Sequence, residues 1–244
     1  MSDTPVLFFV ALLIISALYS SVGHGGASGY LALMAICGIT PAVIKSTALV
    51  LNLFVSLIAF IQYYKTGNFK WNLLIPLVIA SVPMAFLGGT ITLNGDVYKK
   101  ILGVLLVIAA FRFIYSPGKN STPFINVSIP LLLIIGALIG LISGMIGIGG
   151  GIILTPIILL LGWADVKQTA GISALFIFVN SAAGLSGKAI HGIQFNNSMM
   201  LMIAIALIGG FGGSYIGSRL LVQNTLKRVL AVVLVIASIK LLLP

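Results

Sequence analysis

Gly144-Met145-Ile146-Gly147-Ile148-Gly149-Gly150-Gly151 interrupts an apolar run that extends from Ile129 to Leu161. That run is too long for one simple membrane crossing, and its reading decides the fold. Glycine is a poor helix former and adopts φ > 0 freely, so four glycines in the five residues 147–151 should unwind a helix locally. The backbone groups freed in this way cannot be satisfied by hydrocarbon. Such a break survives at membrane depth only where it is buried in protein or lines a water-filled cavity. Gly23-His24-Gly25-Gly26-Ala27-Ser28-Gly29 has the same character, inside the apolar run from Val6 to Ile36. Two glycine breaks at matching places in two halves of a chain point to a transporter binding site.

Composition agrees with a membrane setting. Of 244 residues, 60% are hydrophobic and 7% charged, outside the range of soluble domains. At about 20 apolar residues per crossing the chain holds roughly eight full spans or ten shorter segments. The net charge of +10 comes from cations standing singly or in pairs at segment ends. That arrangement fits topology and anionic lipid headgroups, not nucleic acid. The single cysteine, Cys37, excludes an internal disulfide. The N-terminus lacks the cationic region of a cleaved signal peptide, so the first apolar run is expected to remain as a membrane segment.

In order, the segments predicted for the first half are 5–22, 30–37 after the first break, 44–61, 73–92 with Pro76 and Pro83 as kinks, and 99–112. Tyr63, Tyr64, Lys65, Lys70 and Trp71 between the third and fourth read as interface chemistry. The stretch Ser116-Pro117-Gly118-Lys119-Asn120-Ser121-Thr122-Pro123 is linker-like and falls at the midpoint. Around it the chain repeats. Gly23-His24-Gly25-Gly26 overlays Gly147-Ile148-Gly149-Gly150, and Phe86-Leu87-Gly88-Gly89 overlays Gly210-Phe211-Gly212-Gly213, both at an offset of 124 residues. Lys99-Lys100-Ile101-Leu102 overlays Lys227-Arg228-Val229-Leu230 at 128. The expected fold is an all-α polytopic membrane protein of two homologous halves, 1–115 and 128–244, joined by a linker at 116–127. About five segments per half, an odd number, would make the halves inverted repeats with broken or re-entrant helices, whereas counting each broken run as one discontinuous crossing gives four per half and parallel repeats.

The motif from Gly144 through Thr155-Pro156, followed by Gln168-Thr169-Ala170-Gly171-Ile172-Ser173-Ala174 and the late Gly212, Gly213 and Gly217, resembles the sulfite exporter TauE/SafE family. The likeness covers nearly the whole chain, with a degraded first half in which His24 and Ser28 interrupt the glycine run. It implies a cell-membrane permease of the 4-toluene sulfonate uptake type, for sulfur-containing anions such as sulfite, thiosulfate, sulfoacetate or other organosulfonates.

The residues support a compatible reading of their own. Helices resuming after the breaks, near Tyr30 and Ile152, present unpaired N–H groups that favour an anion. The candidate substrate site is Gly23, His24, Gly25, Gly26, Ser28, Gly147, Gly149, Gly150 and Gly151 in the breaks. It adds Lys45, Ser46, Thr47 and Asn52 from the third segment, with Ser173, Asn180 and Ser181 from its counterpart. Lys45 is the leading anion contact, because a cation inside a membrane segment defaults to function; a lysine snorkelling to the interface is the competing reading. The spaced glycines Gly136-x3-Gly140-x3-Gly144 and Gly209-x3-Gly213-x3-Gly217 read as helix-packing devices. His24 could carry a coupling proton or be a satisfied buried side chain.

Dinucleotide and Walker fingerprints are absent, as is any metal-ligand spacing, so no cofactor or metal is expected. The expected partners are a small anionic substrate, membrane lipids and a coupling ion, proton or Na+; no nucleic acid is expected. A passive anion channel remains the alternative. Gly184-Leu185-Ser186-Gly187 matches an intramembrane serine protease string, but its nearest base would be His191 in the following loop.

Overall fold

The computed structural model describes residues 6–67, 69–91, 127–193 and 198–222, with 225, 228, 232 and 235. The described residues are all helical where they are regular, with no strand. The helices are α1 (Val6–Ser20), α2 (Ala27–Ile36), α3 (Pro41–Tyr64), α4 (Trp71–Thr90), α5 (Ile129–Ile146), α6 (Gly151–Leu160), α7 (Val166–Ala189) and α8 (Met199–Tyr215), which continues as a π turn, Ile216–Leu220. Among the described residues, five helical stretches (α3, α4, α5, α7 and α8 with its π turn) are long and apolar enough to span a bilayer. The predicted segment 99–112 and the linker through 126 lie outside the described residues.

Local chemistry accounts for the helix ends. Pro41 opens α3 behind the extended Thr40, where the missing N–H costs nothing. Asp165 and Gln168 close a capping box on α7: the carboxylate accepts from Gln168 N at 2.9 Å, and Asp165 N donates to Gln168 Oε1 at 3.2 Å. α4 continues through both Pro76 and Pro83. The second break is narrower than the sequence suggests. α5 runs through Gly144 to Ile146, leaving only 147–150 outside a helix. Gly144 serves packing instead, its bare face against Ala85 O.

Two apolar cores form, and each half contributes to both. α1, α2 and α3 close around Leu12, Tyr30, Leu51 and Val55 together with Met202 and Ala206 of α8. α5, α6 and α7 close around Leu132, Ile139, Leu154 and Phe176 together with Leu74 and Leu77 of α4. Each fourth helix therefore packs into the other half. The two crossings are made in one register. In α5, Gly140 and Gly144 lie against Ser81 O and Ala85 O of α4. In α1, Ser16 and Ser20, 124 residues earlier, donate to Ala206 O and Gly210 O of α8 at 2.6 and 2.7 Å. Ala206 and Gly210 stand 125 residues after Ser81 and Ala85. Gly88 against Leu141 O likewise matches Gly213 against Ala17 O. Gly88 thus pairs with Gly213, one residue from the overlay read in the sequence.

Helix directions follow from these contacts. α4 and α5 run parallel, as do α1 and α8, so α4 ends and α5 begins at opposite ends of the bundle. α3 and α7 are antiparallel: Asn52 bonds Ser181, while Tyr63 further along α3 packs on Gly171 near the start of α7. The polarity is inside-out relative to a soluble bundle. Ser16, Asn52, Ser56, Ser143, Ser173, Asn180 and Ser181 are buried, whereas Met200 is 83% and Ile208 68% exposed. An apolar girdle of that kind suits lipid as solvent. Phe60, Tyr64, Phe69 and Trp71 cluster at the α3–α4 turn with centroids 4.8–6.2 Å apart. Tyr63 departs from the interface reading: it turns inward and its hydroxyl donates to Ser21 O.

Candidate functional site

The site is built on the two helix starts that follow the breaks. α2 begins after Gly26 at φ 94° and α6 after Gly150 at φ 80°. A left-handed residue immediately before a helix reverses the chain sharply, and glycine occupies that conformation without steric cost. Neither start has a side-chain cap, so its first amides keep their partial positive charge unspent. Residues 21–34 are buried throughout.

Both breaks meet at the middle of the antiparallel pair α3–α7. A β-carbon on Gly25 would lie 2.5 Å from Asn52 Oδ1 and 3.1 Å from Ile177 Cγ2. One on Gly149 would lie 2.7 Å from Ile177 Cγ2 and 2.9 Å from both Asn52 Nδ2 and Ser181 Oγ. Asn52 Nδ2 donates to Ser181 Oγ at 3.3 Å, bridging α3 and α7. A second bridge joins the first break to the second half. His24 Nε2 lies 2.8 Å from Thr155 Oγ1 on α6, and Thr155 Oγ1 lies 2.7 Å from Ser173 Oγ on α7. The His24 ring also borders Gly151. His24 is thus buried and ties the two halves together through Nε2, while its Nδ1 has no partner.

Several buried polar atoms on the helices around this centre lack partners. Asn52 Oδ1, Thr47 Oγ1, Ser143 Oγ and Asn180 Oδ1 are buried with no hydrogen bond. Ser143 borders the second break, its Cβ 3.3 Å from where a Gly150 side chain would begin. Each such atom costs about 1–3 kcal/mol, and a native structure rarely tolerates them without a reason.

Other expected residues lie apart from this centre. Lys45 covers Gly147 with its stem, and its Nζ donates to Gly89 O and Ile91 O at 3.4 and 3.3 Å. It therefore neutralises the C-terminal end of α4, which carries partial negative charge. Lys188 follows Gly187, which packs on Gly89 at the same end. Lys167 plays the matching part at the other end, donating to Ser218 O at 3.0 Å. Gly23 packs on Ala170, Gly26 on the Tyr30 ring, and Ser28 donates to Tyr19 Oη at 2.8 Å. Ser46 and Thr47 are buried on α3 beside Lys45, and Asn180 Nδ2 donates to Phe176 O of its own helix at 2.8 Å. The breaks thus gather Gly25, His24, Gly149, Gly151, Asn52, Ser181 and, through Thr155, Ser173.

Thr155, Ser143 and Ile177 belong to the centre but carry no plain mark in the sequence. Thr155 stands in the Thr-Pro pair of the glycine motif, the nearest thing to a signal. Ile177 is one apolar residue in an apolar helix. Among the described residues, no group of three His, Cys, Asp or Glu side chains could hold a metal. A groove of about 530 Å³ lies elsewhere, on the outer face of α4 and α7, lined by Val82, Pro83, Phe86, Leu87, Ala183 and Ser186. Ser186 of the protease-like string donates to Ala182 O at 2.9 Å on that exposed face.

The comparisons with known proteins agree with the membrane setting. The model of the family described as sulfite exporter TauE/SafE matches residues 7–241. A probable membrane transporter protein of Sinorhizobium fredii is 38% identical over 237 residues, covering 96% of each chain. A probable membrane transporter protein of Haemophilus influenzae is 27% identical over 75% of this chain and 74% of its own. One of Methanocaldococcus jannaschii is 27% identical over 53% of this chain and 49% of its own. No solved structure matches the chain.

Proposed function

The chain belongs to the sulfite exporter TauE/SafE family of multi-pass membrane transporters, and from that membership we propose a secondary carrier for small sulfur-containing anions. Sulfite, thiosulfate, sulfoacetate and other organosulfonates are the candidate substrates. The observation that carries the reading is the meeting of two uncapped helix starts, α2 and α6, at the middle of α3–α7. Stripping water from an oxyanion is expensive, and one helix start contributes only about 0.3–2 kcal/mol. Two starts with Asn52 and Ser181 between them bring several donors onto one small volume.

Transport would proceed by alternating access around this centre, the halves 1–115 and 128–244 acting as inverted repeats. Support comes from the antiparallel course of α3 and α7 and from the matched crossings at Ser16, Ser20, Gly140 and Gly144. Close packing of Ile177 against Gly149 and Gly151 favours a carrier over a passive channel, which needs a continuous path. If a proton couples to transport, His24 is the natural carrier, since the only acids are Asp3, Asp96 and Asp165 and Asp165 is a helix cap. Ser186, bonded to its own helix, gives a protease reading no support.

Purified protein in liposomes, loaded with unlabelled sulfite, should accumulate labelled sulfite by saturable counterflow. Currents at near-diffusive rates without counterflow would replace the carrier with a pore. A thermal-shift screen against the candidate anions identifies the substrate, because a ligand stabilises the state it binds.

A further inference from the structure

We propose that Ile177 decides whether the anion held at this centre must carry an apolar group; the inference rests on the carrier reading above. Asn52 and Ile177 are each the twelfth residue of their helices, α3 and α7, and they face both breaks together. Asn52 touches Gly25 and Gly149, while Ile177 touches Gly25 and Gly149 and fills the space before Gly151, with Cγ1 2.6 Å from where a side chain there would start. Both are buried. The same place is thus filled by an amide from one half and by a branched hydrocarbon from the other.

The two walls make different demands. Asn52 Oδ1 has no partner, and a half-turn of the amide lets Oδ1 accept from Ser181 while Nδ2 donates to an oxyanion. The helix starts supply the remaining donors. Ile177 supplies none. A bare oxyanion is hydrated on every side, and any oxygen turned to Ile177 loses water without replacement. An anion with an apolar substituent keeps its oxygens on the amide and the helix starts, and turns hydrocarbon to the isoleucine. To admit either, the Ile177 δ-methyl must swing away from Gly151, which a rotamer change supplies.

The test compares benzenesulfonate with sulfite on the full-length protein, by the concentration that half-maximally shifts thermal unfolding and by competition against counterflow. The parent should prefer benzenesulfonate. Ile177→Asn should move the ratio of the two affinities toward sulfite by ~10-fold or more. Ile177→Val, which keeps the branched carbon and the fold, should move it in a smaller step. A merely structural role would lower stability and leave the ratio alone. Ratios within about twofold of the parent in both variants, or a parent preferring sulfite, overturn this inference while leaving the carrier standing. No saturable interaction of the parent with either anion overturns this inference, and none with thiosulfate or sulfoacetate either overturns the carrier reading as well.

Discussion

Gly149→Ala tests the centre most directly. Gly149 holds φ 74°, where an L side chain costs about 1–2 kcal/mol. The added methyl would sit 2.7 Å from Ile177 Cγ2 and 2.9 Å from Asn52 Nδ2 and Ser181 Oγ, and overpacking of that kind costs about 1–3 kcal/mol. The total is about 2–5 kcal/mol, with the lower half favoured because the Ile177 and Asn52 side chains can turn aside. For a chain of this size that lowers the unfolding midpoint by roughly 5–15 °C. Gly212→Ala is the control: it is helical with nothing within 4 Å of the new carbon, so the midpoint should hold or rise slightly. Thermal unfolding in detergent reads the stability, and sulfite counterflow reads the site. We expect G149A to melt early and lose counterflow, while G212A keeps both. A G149A protein melting within about 1 °C of the parent with intact counterflow would refute the geometry argued for the breaks.

Three further substitutions address other contacts. Ser16→Ala removes one interhelical hydrogen bond without adding a helix glycine, a loss of about 0.6 kcal/mol in a membrane. Gly140→Ser, at the matching place, drives a side chain into Ser81 O and should cost about 1–3 kcal/mol; equal midpoint losses would deny the matched crossings. Thr155→Val strips the bridge between His24 and Ser173, with an expected loss of about 1–3 kcal/mol. Its effect should be non-additive with Ser173→Ala by about 0.5 kcal/mol or more, measured by a double-mutant thermal cycle. Lys45→Met keeps the stem over Gly147 and deletes the charge. Anion affinity in the thermal-shift titration should weaken more than about twofold if the ammonium steers the anion, whereas the end-of-helix role alone predicts only a stability loss near 0.3–1 kcal/mol.

The helical class, the membrane setting and the two breaks were legible because glycine clusters and apolar runs act through the local backbone and its solvent. The overlay of Gly88-Gly89 on Gly212-Gly213 is the better match in sequence, yet the contacts of Gly88 with Leu141 O and of Gly213 with Ala17 O correspond one residue away, which only helix faces reveal. Gly144 could be read as either break or packing, and only its approach to Ala85 O separated the two.

Lys45 illustrates the other limit. Its cost inside an apolar segment was evident from sequence, but the carbonyls of Gly89 and Ile91 that answer it lie 44 and 46 residues away. Thr155 became visible only when α6 brought it to His24, 131 residues distant in the chain. The sequence by itself determined that the chain is helical and broken at two glycine clusters, because those depend on φ preferences and on the solvent each residue meets. Tertiary structure decided which broken ends share a centre and that Ile177 stands between them, because an apolar side chain carries no sign of what it will touch until two helices are packed together.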